Sequence, residues 1–390
     1  MPALQGREAV IVAATRTPIG KGNLKNGVYR DEHPVALLGG VYSSLIEQAG
    51  VDPALVDDVI AGCGQPYGVQ SSNVARNAWL HAGLPVTTPA STVDRACGSS
   101  QQAANIAAMA VSSGSGDLVI GSGVEHMGRV PFAAGVQIKQ DWGTPYTPQL
   151  RDHHDLVGQG EAAERIVDKY GVTRAEMDEL SERSHRLAAQ ATAEGRFERE
   201  ITPVETAHGI VHADQGIRPQ TTIEALTALE PVFRSDGRIT AGSSSQISDG
   251  AAAVLVAERG LADRLGLRPR ARILDAFTVG CDPVLMLEGP IPATRRILER
   301  NRMSIQDIDL FEVNEAFAPI VLAWERELKP ERDRVNVNGG AIALGHPLGA
   351  SGARLITTLL HELERTDREI GLVTMCCGGG FGTATLIQRL

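Results

Sequence analysis

A glycine-rich stretch, residues 336–354, constrains the fold of this chain more than any other feature. It has Gly at positions 339, 340, 345, 349 and 352, and one histidine, His346, directly before Pro347. Glycines at this density permit close backbone approach and positive φ angles, and Pro347 biases His346 away from helical dihedrals. Apolar residues at helical spacing follow from Ala350. We expect His346 on a rigid turn before a helix; the alternative is a loop in which the histidine is incidental.

The composition of the 390 residues indicates a globular protein and limits its partners. Hydrophobic residues make up 43% and aromatic residues only 4%, so the core must be packed with small side chains. The net charge of −10 argues against nucleic acid or an anionic membrane as main partner. No window is apolar enough to span a bilayer, and the first residues lack a signal-peptide pattern. We expect a cytoplasmic protein of roughly two or three domains.

The five cysteines, at positions 63, 97, 281, 376 and 377, are expected to be free thiols. Their odd number argues against a disulfide framework, and the lack of a CxxC pair argues against a structural zinc, so no metal is expected. Cys63 and Cys281 are interpreted as buried apolar residues. Cys97 differs because it precedes residues 101–111, an uncharged, alanine-rich segment that predicts a buried helix. A helix N-terminus favours the thiolate, so we predict a lowered pKa for Cys97.

Alternating strand and helix patterns indicate an α/β fold with a weak internal repeat. Residues 117–125 and 370–380 are both buried strands that end in small residues. Each follows a buried helix of small residues, 101–111 in the first half and 351–360 in the second. A duplicated α/β unit is the natural explanation.

Residues 124–245 interrupt this pattern with more charge and fewer strands. Two helices stand out: 159–170, and one that the capping box of Thr173 and Glu176 opens and a glycine ends. We expect an insertion that lies over the face of the first α/β unit, although a separate helical domain fits the pattern equally well. The predicted domains are 1–269, including this insertion, and 270–390.

Three candidate catalytic residues are each predicted at the end of a helix or strand. Cys97 precedes a buried helix, His346 lies on its turn, and Cys376 ends a strand beside the Gly-Gly-Gly turn 378–380. A cysteine and a histidine far apart in sequence are typical of a nucleophile and its base. The glycine turn offers N–H groups for an oxyanion, and a second thiol with a pKa near working pH could act as general acid or base. Simple packing explains Cys376 equally well.

The chain resembles the thiolase family, the 3-ketoacyl-CoA thiolases and acetyl-CoA acetyltransferases, over nearly its whole length. The resemblance rests on segments that are specific in combination: RTPIG (16–20), the segment around Cys97, GVEHM (123–127), SHRLA (184–188), IRP (217–219), TAGSSSQISDGAAAV (240–254), GPIPAT (289–294), NEAF (314–317), NGGAIALGHPLGASGAR (338–354) and CCGGGFG (376–382). It implies a thiolase-like fold, with two duplicated α/β domains in stacked sheet and helix layers, an inserted loop domain, and a homodimer or homotetramer.

The resemblance also implies roles for individual residues. Cys97 matches the acylated nucleophile, His346 the histidine that activates it and lines one oxyanion hole, and Asn314 the asparagine that holds a water there. Cys376 matches the cysteine that moves the proton at the substrate α-carbon. The N–H groups of Cys97 and Gly378 match the second oxyanion hole, while Cys377 is interpreted as packing. The residues matched to coenzyme A and to the acyl or pantetheine channel are Arg218, Ser245, Met286 and Phe317.

The implied reaction is thiolytic cleavage of a 3-ketoacyl-CoA, as in fatty acid β-oxidation, through an acyl-cysteine. Coenzyme A is then a substrate, and no tightly bound cofactor is expected. Two alternatives stay open: an acetyl-CoA acetyltransferase specific for acetoacetyl-CoA, and a thiolase-like scaffold in a multienzyme complex. A condensing enzyme of the ketoacyl synthase kind is disfavoured, because those enzymes carry a Cys-His-His set and Cys376 stands at the third position.

The sequence departs from the family pattern at four places. Asp94 replaces the usual Asn before the nucleophile, and Gln159-Gly160 replaces a common Met-Gly. GSSS (242–245) replaces GNAS, and ISDG (247–250) replaces INDG. The loop changes lie where the acyl chain or pantetheine would run. We therefore expect a medium, long or ring-bearing acyl group rather than a preference for acetoacetyl-CoA.

Overall fold

The secondary structure alternates strands and helices, with a mainly helical segment in the middle. The structure, a computed structural model, describes residues 6–390 except for the side chain of Ala133. The strands are β1 (Ala9–Arg16), β2 (Gly20–Lys21), β3 (Asp58–Gly62), β4 (Ala90–Val93), β5 (Leu118–His126), β6 (Val204–Thr206), β7 (Gly209–Val211), β8 (Ser248–Glu258), β9 (Ala271–Gly280), β10 (Leu310–Val313), β11 (Ile370–Cys377) and β12 (Phe381–Arg389). The helices are α1 (Pro34–Ala49), α2 (Val74–His81), α3 (Ser99–Ser113), α4 (Phe132–Trp142), α5 (Pro148–His153), α6 (Gln159–Tyr170), α7 (Arg174–Ala193), α8 (Ile223–Thr227), α9 (Arg259–Leu265), α10 (Pro290–Asn301), α11 (Ala318–Leu328), α12 (Ala341–Leu344) and α13 (Leu348–Thr366).

The main sheet contains the same strand arrangement twice. Its order is β10-β11-β12-β9-β1-β8-β5-β3-β4, and β2 pairs with β8. In the first half, β3 and β5 are parallel, and β5, β8 and β1 are successively antiparallel. In the second half, β10 and β11 are parallel, and β11, β12 and β9 are successively antiparallel. The parallel bridge between Phe311 of β10 and Val335 in the second half corresponds to the parallel pairing of β3 with β4 in the first. The duplicated α/β unit predicted from the weak repeat is confirmed.

Two helices, α3 and α13, form the middle layer of the fold. Apolar residues from both, such as Ala104 and Leu359, share one core with Val254 of β8 and Val373 of β11. The other faces of the two sheet halves are covered by α1 and α2 in the first half and by α10 and α11 in the second. The buried, small-residue helix predicted after Cys97 is therefore confirmed as α3, of whose apolar side chains Met109 is the exposed one.

Close contact between α3 and α13 depends on glycine. A Cβ atom at Gly352 would overlap the backbone nitrogen of Gln101. At the same level, the N–H of Ala353 donates to Ser100 Oγ at 2.9 Å. A backbone atom cannot move aside as the end of a flexible side chain can, so the spacing of the two helices is fixed at this point.

The segment between β5 and β8 packs mainly on the second half. Its helices α6 and α7 contribute Ile166 and Met177 to the core that contains Ile320 of α11. Arg16 at the end of β1 also holds the segment, through ion pairs with Glu200 and with Asp214. We expected this segment over the face of the first unit or as a separate helical domain; instead, its helices complete the core of the second half. Within residues 6–390, no helix has the length and apolar character needed to cross a bilayer.

Replacing Gly352 by alanine should destabilise the fold. The added methyl group meets backbone, so α3 and α13 must move apart, at a cost of about 1–3 kcal/mol in the free energy of unfolding. Gly40→Ala on α1 is the matched control, because a Cβ at that exposed helical position meets nothing within 4 Å. Denaturant unfolding of the two variants checks this. Equal stability of G352A and G40A would contradict it.

Candidate active site

The predicted catalytic residues lie at the ends of central elements of the fold. Cys97 occupies the turn before α3, and His346 the turn before α13. Asn314 directly follows β10, and Cys376 lies near the end of β11. All four side chains are buried. Because α3 and α13 are neighbours in the middle layer, their starting turns carry Cys97 and His346 to the same region.

The turn that carries Cys97 is held from both sides. The Asp94 carboxylate accepts a hydrogen bond from the N–H of Ala96 at 2.8 Å, and Ala96 has a φ of +48°. An asparagine oxygen could accept the same bond, so Asp94 keeps this function of the usual residue. A Cβ at Gly98 would lie 2.5 Å from Cys377 Sγ. Cys377 thus packs beneath the turn, in agreement with the packing role we expected for it.

The hydrogen bonds of His346 indicate its tautomer. Ser351 Oγ lies 2.8 Å from the carbonyl oxygen of Pro347, to which it donates its proton. Ser351 Oγ also lies 2.6 Å from His346 Nδ1. Because the Ser351 proton points to the carbonyl, Ser351 Oγ accepts the hydrogen bond that Nδ1–H donates. Nε2 is then unprotonated and lies 3.3 Å from Asn314 Nδ2. Nε2 is therefore the nitrogen that can take up a proton, and in the resting site its lone pair accepts a hydrogen bond from the Asn314 amide.

Burial keeps His346 neutral. It lowers the pKa of the imidazole to about 3, and the nearby Arg354 guanidinium acts in the same direction. The imidazole is therefore uncharged throughout the neutral pH range. The side-chain oxygen of Asn314 is buried and has no hydrogen-bond partner among residues 6–390. This free acceptor beside His346 is compatible with the water that the family resemblance implies.

The pKa of Cys97 differs from the prediction. We predicted that the helix N-terminus would lower it, but burial raises the pKa of this thiol to about 11. Hydrogen bonding from the Gly378 N–H, the Gln159 side chain and the N–H of Cys97 itself acts in the opposite direction. These donors do not outweigh the removal of the sulfur from water. Cys97 is therefore a neutral thiol in the resting protein and needs a base.

Cys376 is also a protonated thiol. Burial raises its pKa well above the ordinary value, and the neighbouring sulfur atoms of Cys97 and Cys377 act in the same direction. Our expectation of a thiol pKa near working pH was therefore wrong for this environment. Cys376 therefore carries its proton at neutral pH, and a strong base such as a carbanion is needed to take it.

A cavity of about 970 Å³ opens beside these residues. His346, Gly378 and three of the four residues expected near coenzyme A and the acyl channel (Ser245, Met286 and Phe317) line it. The rest of the wall is mainly apolar and includes Phe132, Leu150, Leu156, Val157, Phe233 and Leu348. Arg218 is exposed and does not line the cavity; its backbone N–H donates to His185 Nδ1 at 3.1 Å. Contacts of these residues with coenzyme A stay a prediction.

Two residues near the site were not assigned a role from the sequence. Ser351, which orients His346, is one of several small residues in the glycine-rich stretch, and its spacing alone gives no signal. Glu125 accepts hydrogen bonds from the N–H groups of Gly64 at 2.7 Å and Gly349 at 2.8 Å. A charged residue at the end of an apolar strand was a usable signal for Glu125, because such a residue needs partners when buried.

Cys63 and Cys281 do not belong to this group of residues. Cys63 is fully buried, as predicted, and lies near Glu125. Cys281 is only half-buried, contrary to our expectation, and its sulfur lies 3.6 Å from the carbonyl oxygen of Met286. All five cysteines are free. Within residues 6–390, no three His, Cys, Asp or Glu side chains are arranged to hold a metal ion.

A buried thiol and a neutral imidazole at the starts of two neighbouring helices, with a second thiol and N–H donors at the sulfur, fit acyl transfer through a covalent acyl-cysteine. Comparison with known proteins agrees with this class. The sequence profile of the thiolase N-terminal domain matches residues 9–260, and that of the thiolase C-terminal domain matches residues 267–389. The chain belongs to the thiolase family, and it is an acyltransferase.

Individual relatives match over almost the whole chain. A steroid 3-ketoacyl-CoA thiolase from Mycobacterium tuberculosis is 45% identical, over 98% of this chain and 94% of the relative. A 3-ketoacyl-CoA thiolase from Idiomarina loihiensis is 44% identical, over 98% of this chain and 100% of the relative. The crystal structure of the Bacillus anthracis acetyl-CoA acetyltransferase superposes with a TM-score of 0.89 at 38% identity, over 98% of this chain and 99% of that one.

Alkylation of Cys97 should show the pH dependence of a thiol with a raised pKa. Below a pKa of about 11, the thiolate fraction and hence the iodoacetamide rate rise about tenfold per pH unit. His346 stays neutral and adds no inflection above about pH 5. Peptide mass spectrometry between about pH 7 and pH 9.5, with Cys97→Ser as the control for other thiols, measures this rate. A plateau below pH 8 would show that the thiolate already dominates in the resting protein.

Proposed function

We propose that this protein is a degradative 3-ketoacyl-CoA thiolase that cleaves substrates with an acyl group larger than acetoacetyl. The observation that carries the proposal is the cavity of about 970 Å³, because His346 and Gly378 line it together with many apolar side chains. The products are acetyl-CoA and an acyl-CoA shortened by two carbons. Coenzyme A enters as the second substrate, and the chemistry requires no tightly bound cofactor.

In the first half-reaction, His346 Nε2 accepts the Cys97 proton and the sulfur attacks the 3-keto carbon. The oxyanion forms beside His346 and a water on Asn314. When it collapses, the bond between C2 and C3 breaks and its electron pair passes to the acetyl-CoA enolate. The thioester oxygen of this enolate accepts hydrogen bonds from the N–H groups of Cys97 and Gly378, each contributing about 3–4 kcal/mol by the oxyanion-hole precedent. Cys376 protonates the enolate carbon.

The second half-reaction returns the catalytic residues to their resting protonation states. The Cys376 thiolate takes the proton of the coenzyme A thiol, and the resulting thiolate attacks the acyl-cysteine. Cys97 leaves as a thiolate and recovers its proton from the His346 imidazolium. The raised pKa of the Cys376 thiol keeps its proton in place for the first half and makes its thiolate a strong base for the coenzyme A thiol in the second, and the lowered pKa of His346 supports rapid return of the proton to Cys97.

The size and character of the cavity support a large acyl group. Rings and branched side chains, among them Phe132, Phe233 and Leu150, give it a mainly apolar wall. Two of the relatives described above are named as 3-ketoacyl-CoA thiolases, one of them for steroids. We propose that the GSSS loop, 242–245, whose Ser244 and Ser245 line the cavity, contributes to this preference.

The proposal also covers the location of the enzyme, its oligomeric state and the process in which it acts. We propose a cytoplasmic homodimer or homotetramer that acts in fatty acid β-oxidation or in the degradation of a related ring-bearing acyl chain. The net charge of −10 supports a protein that stays away from anionic membranes and nucleic acids.

Thiolysis rates across a panel of 3-ketoacyl-CoA substrates, from acetoacetyl to long-chain and ring-bearing, test the proposal. We expect kcat/KM to rise with acyl size, because each buried methylene adds about 0.8 kcal/mol of apolar burial. Cys97→Ala controls for background coenzyme A consumption. A sharp preference for acetoacetyl-CoA would make the protein an acetyl-CoA acetyltransferase instead. Absence of thiolysis for every substrate would favour a scaffold in a multienzyme complex.

Ser351→Ala should reduce turnover without removing the base. Loss of the Nδ1 partner frees the imidazole tautomer and ring orientation, which we expect to lower kcat about tenfold while KM changes little. Ser113→Ala is a matched control, because Ser113 also donates to a carbonyl of its own helix but lies at the exposed end of α3. Steady-state kinetics of both variants measure kcat and KM. A wild-type kcat for S351A would refute the orienting role.

A further inference from the structure

Gln159 is a polar residue in the reaction site that has no role in the mechanism above. It is the first residue of α6, and its half-buried side chain lines the same cavity as His346 and Gly378. In the family pattern, this position commonly holds methionine, which has a similar length but no hydrogen-bond donor. The amide therefore brings a group into the site that the common pattern lacks.

The start of α6 is held in place beside the site. Gly160 is buried, and a Cβ atom there would overlap the ring of Phe233. That ring packs edge-on against Phe317, with the ring centroids 5.7 Å apart. Gly160 therefore allows the first turn of α6 to lie close to these rings, and Gln159, the residue before it, lies in the cavity wall.

The amide of Gln159 lies against the glycine turn after β11. A Cβ atom at Gly378 would lie 2.7 Å from Gln159 Nε2 and 3.6 Å from the Cβ of Ala96, the residue before Cys97, so the nitrogen lies next to the turn that carries Cys97. The Gly378 N–H and the Gln159 side chain both favour the thiolate of Cys97, whereas the charge of Glu125 opposes it. In the resting site, where His346 is neutral, neutral donors are therefore the groups that stabilise a negative sulfur.

We propose, on the basis of the function given above, that Gln159 is a catalytic residue whose amide N–H donates to the Cys97 sulfur when it becomes a thiolate. In the resting site it acts together with the N–H groups of Gly378 and of Cys97; when the thioester oxygen of a substrate takes those two groups, Gln159 is the donor that remains to the sulfur. The thiolate forms twice in each cycle, when Cys97 attacks and when it leaves the acyl group. Gln159 stabilises it at both steps.

The test is the iodoacetamide rate of Cys97 at about pH 8 in Gln159→Met. This variant keeps the length of the side chain and removes the donor. We expect alkylation about tenfold slower than in the wild type, which corresponds to one pKa unit. Gln159→Glu, which places a carboxylate beside the sulfur, should be slower still. Gln190→Met, on the exposed face of α7, is the matched control and should keep the wild-type rate.

The outcomes separate this inference from the proposed function. Alkylation of Cys97 in Q159M and Q159E within about twofold of the wild type, with thermal unfolding confirming folded protein, would overturn the role of Gln159. The readout needs no substrate, so it is independent of which 3-ketoacyl-CoA is cleaved. If the wild type cleaves none of them, the proposed function fails, while slower alkylation of Q159M still supports the donor role.

Discussion

Contact between the first turns of α3 and α13 is the constraint on which the remainder of the structure depends. Gly352 lets α13 approach the backbone of Gln101, and the N–H of Ala353 donates to Ser100 Oγ at 2.9 Å. Both helices are enclosed by the two sheet halves, so neither can shift without moving a strand layer. The duplicated fold thereby brings together two turns that are far apart in sequence, one carrying Cys97 and the other His346.

A buried carboxylate reinforces this arrangement. Glu125 ends its strand against the first turn of α13, where it accepts the N–H of Gly349, and it also accepts the N–H of Gly64 in the loop after β3. An anion at a helix N-terminus is favoured by the helix dipole, and its donors compensate for the loss of water. Burial nevertheless raises the pKa of Glu125. The turn of His346 is thus held by hydrogen bonds as well as by packing.

Sequence patterns predicted the elements of the site better than its electrostatics. The buried helix after Cys97, the turn at His346 and the repeated unit all follow from local spacing and composition, which are properties of neighbouring residues. The pKa of Cys97 could not be obtained in this way, because it depends on how many atoms from distant elements cover the sulfur. The packing of α6 and α7 on the second half was missed for the same reason: an amphipathic helix shows which face is buried but not which partner covers it. The hydrogen bond between Ser351 and His346 could not be predicted either, because it depends on how the turn that joins these residues folds.

The neutral state of the resting site has a consequence for the chemical durability of the protein. Oxidation of cysteine to the sulfenic acid proceeds through the thiolate and requires access to solvent. Cys97 and Cys376 are buried, and burial raises the pKa of both thiols. The Cys97 thiol is therefore in its least oxidisable form in the resting protein. The same burial that makes the thiol depend on a base protects it from peroxide between turnovers.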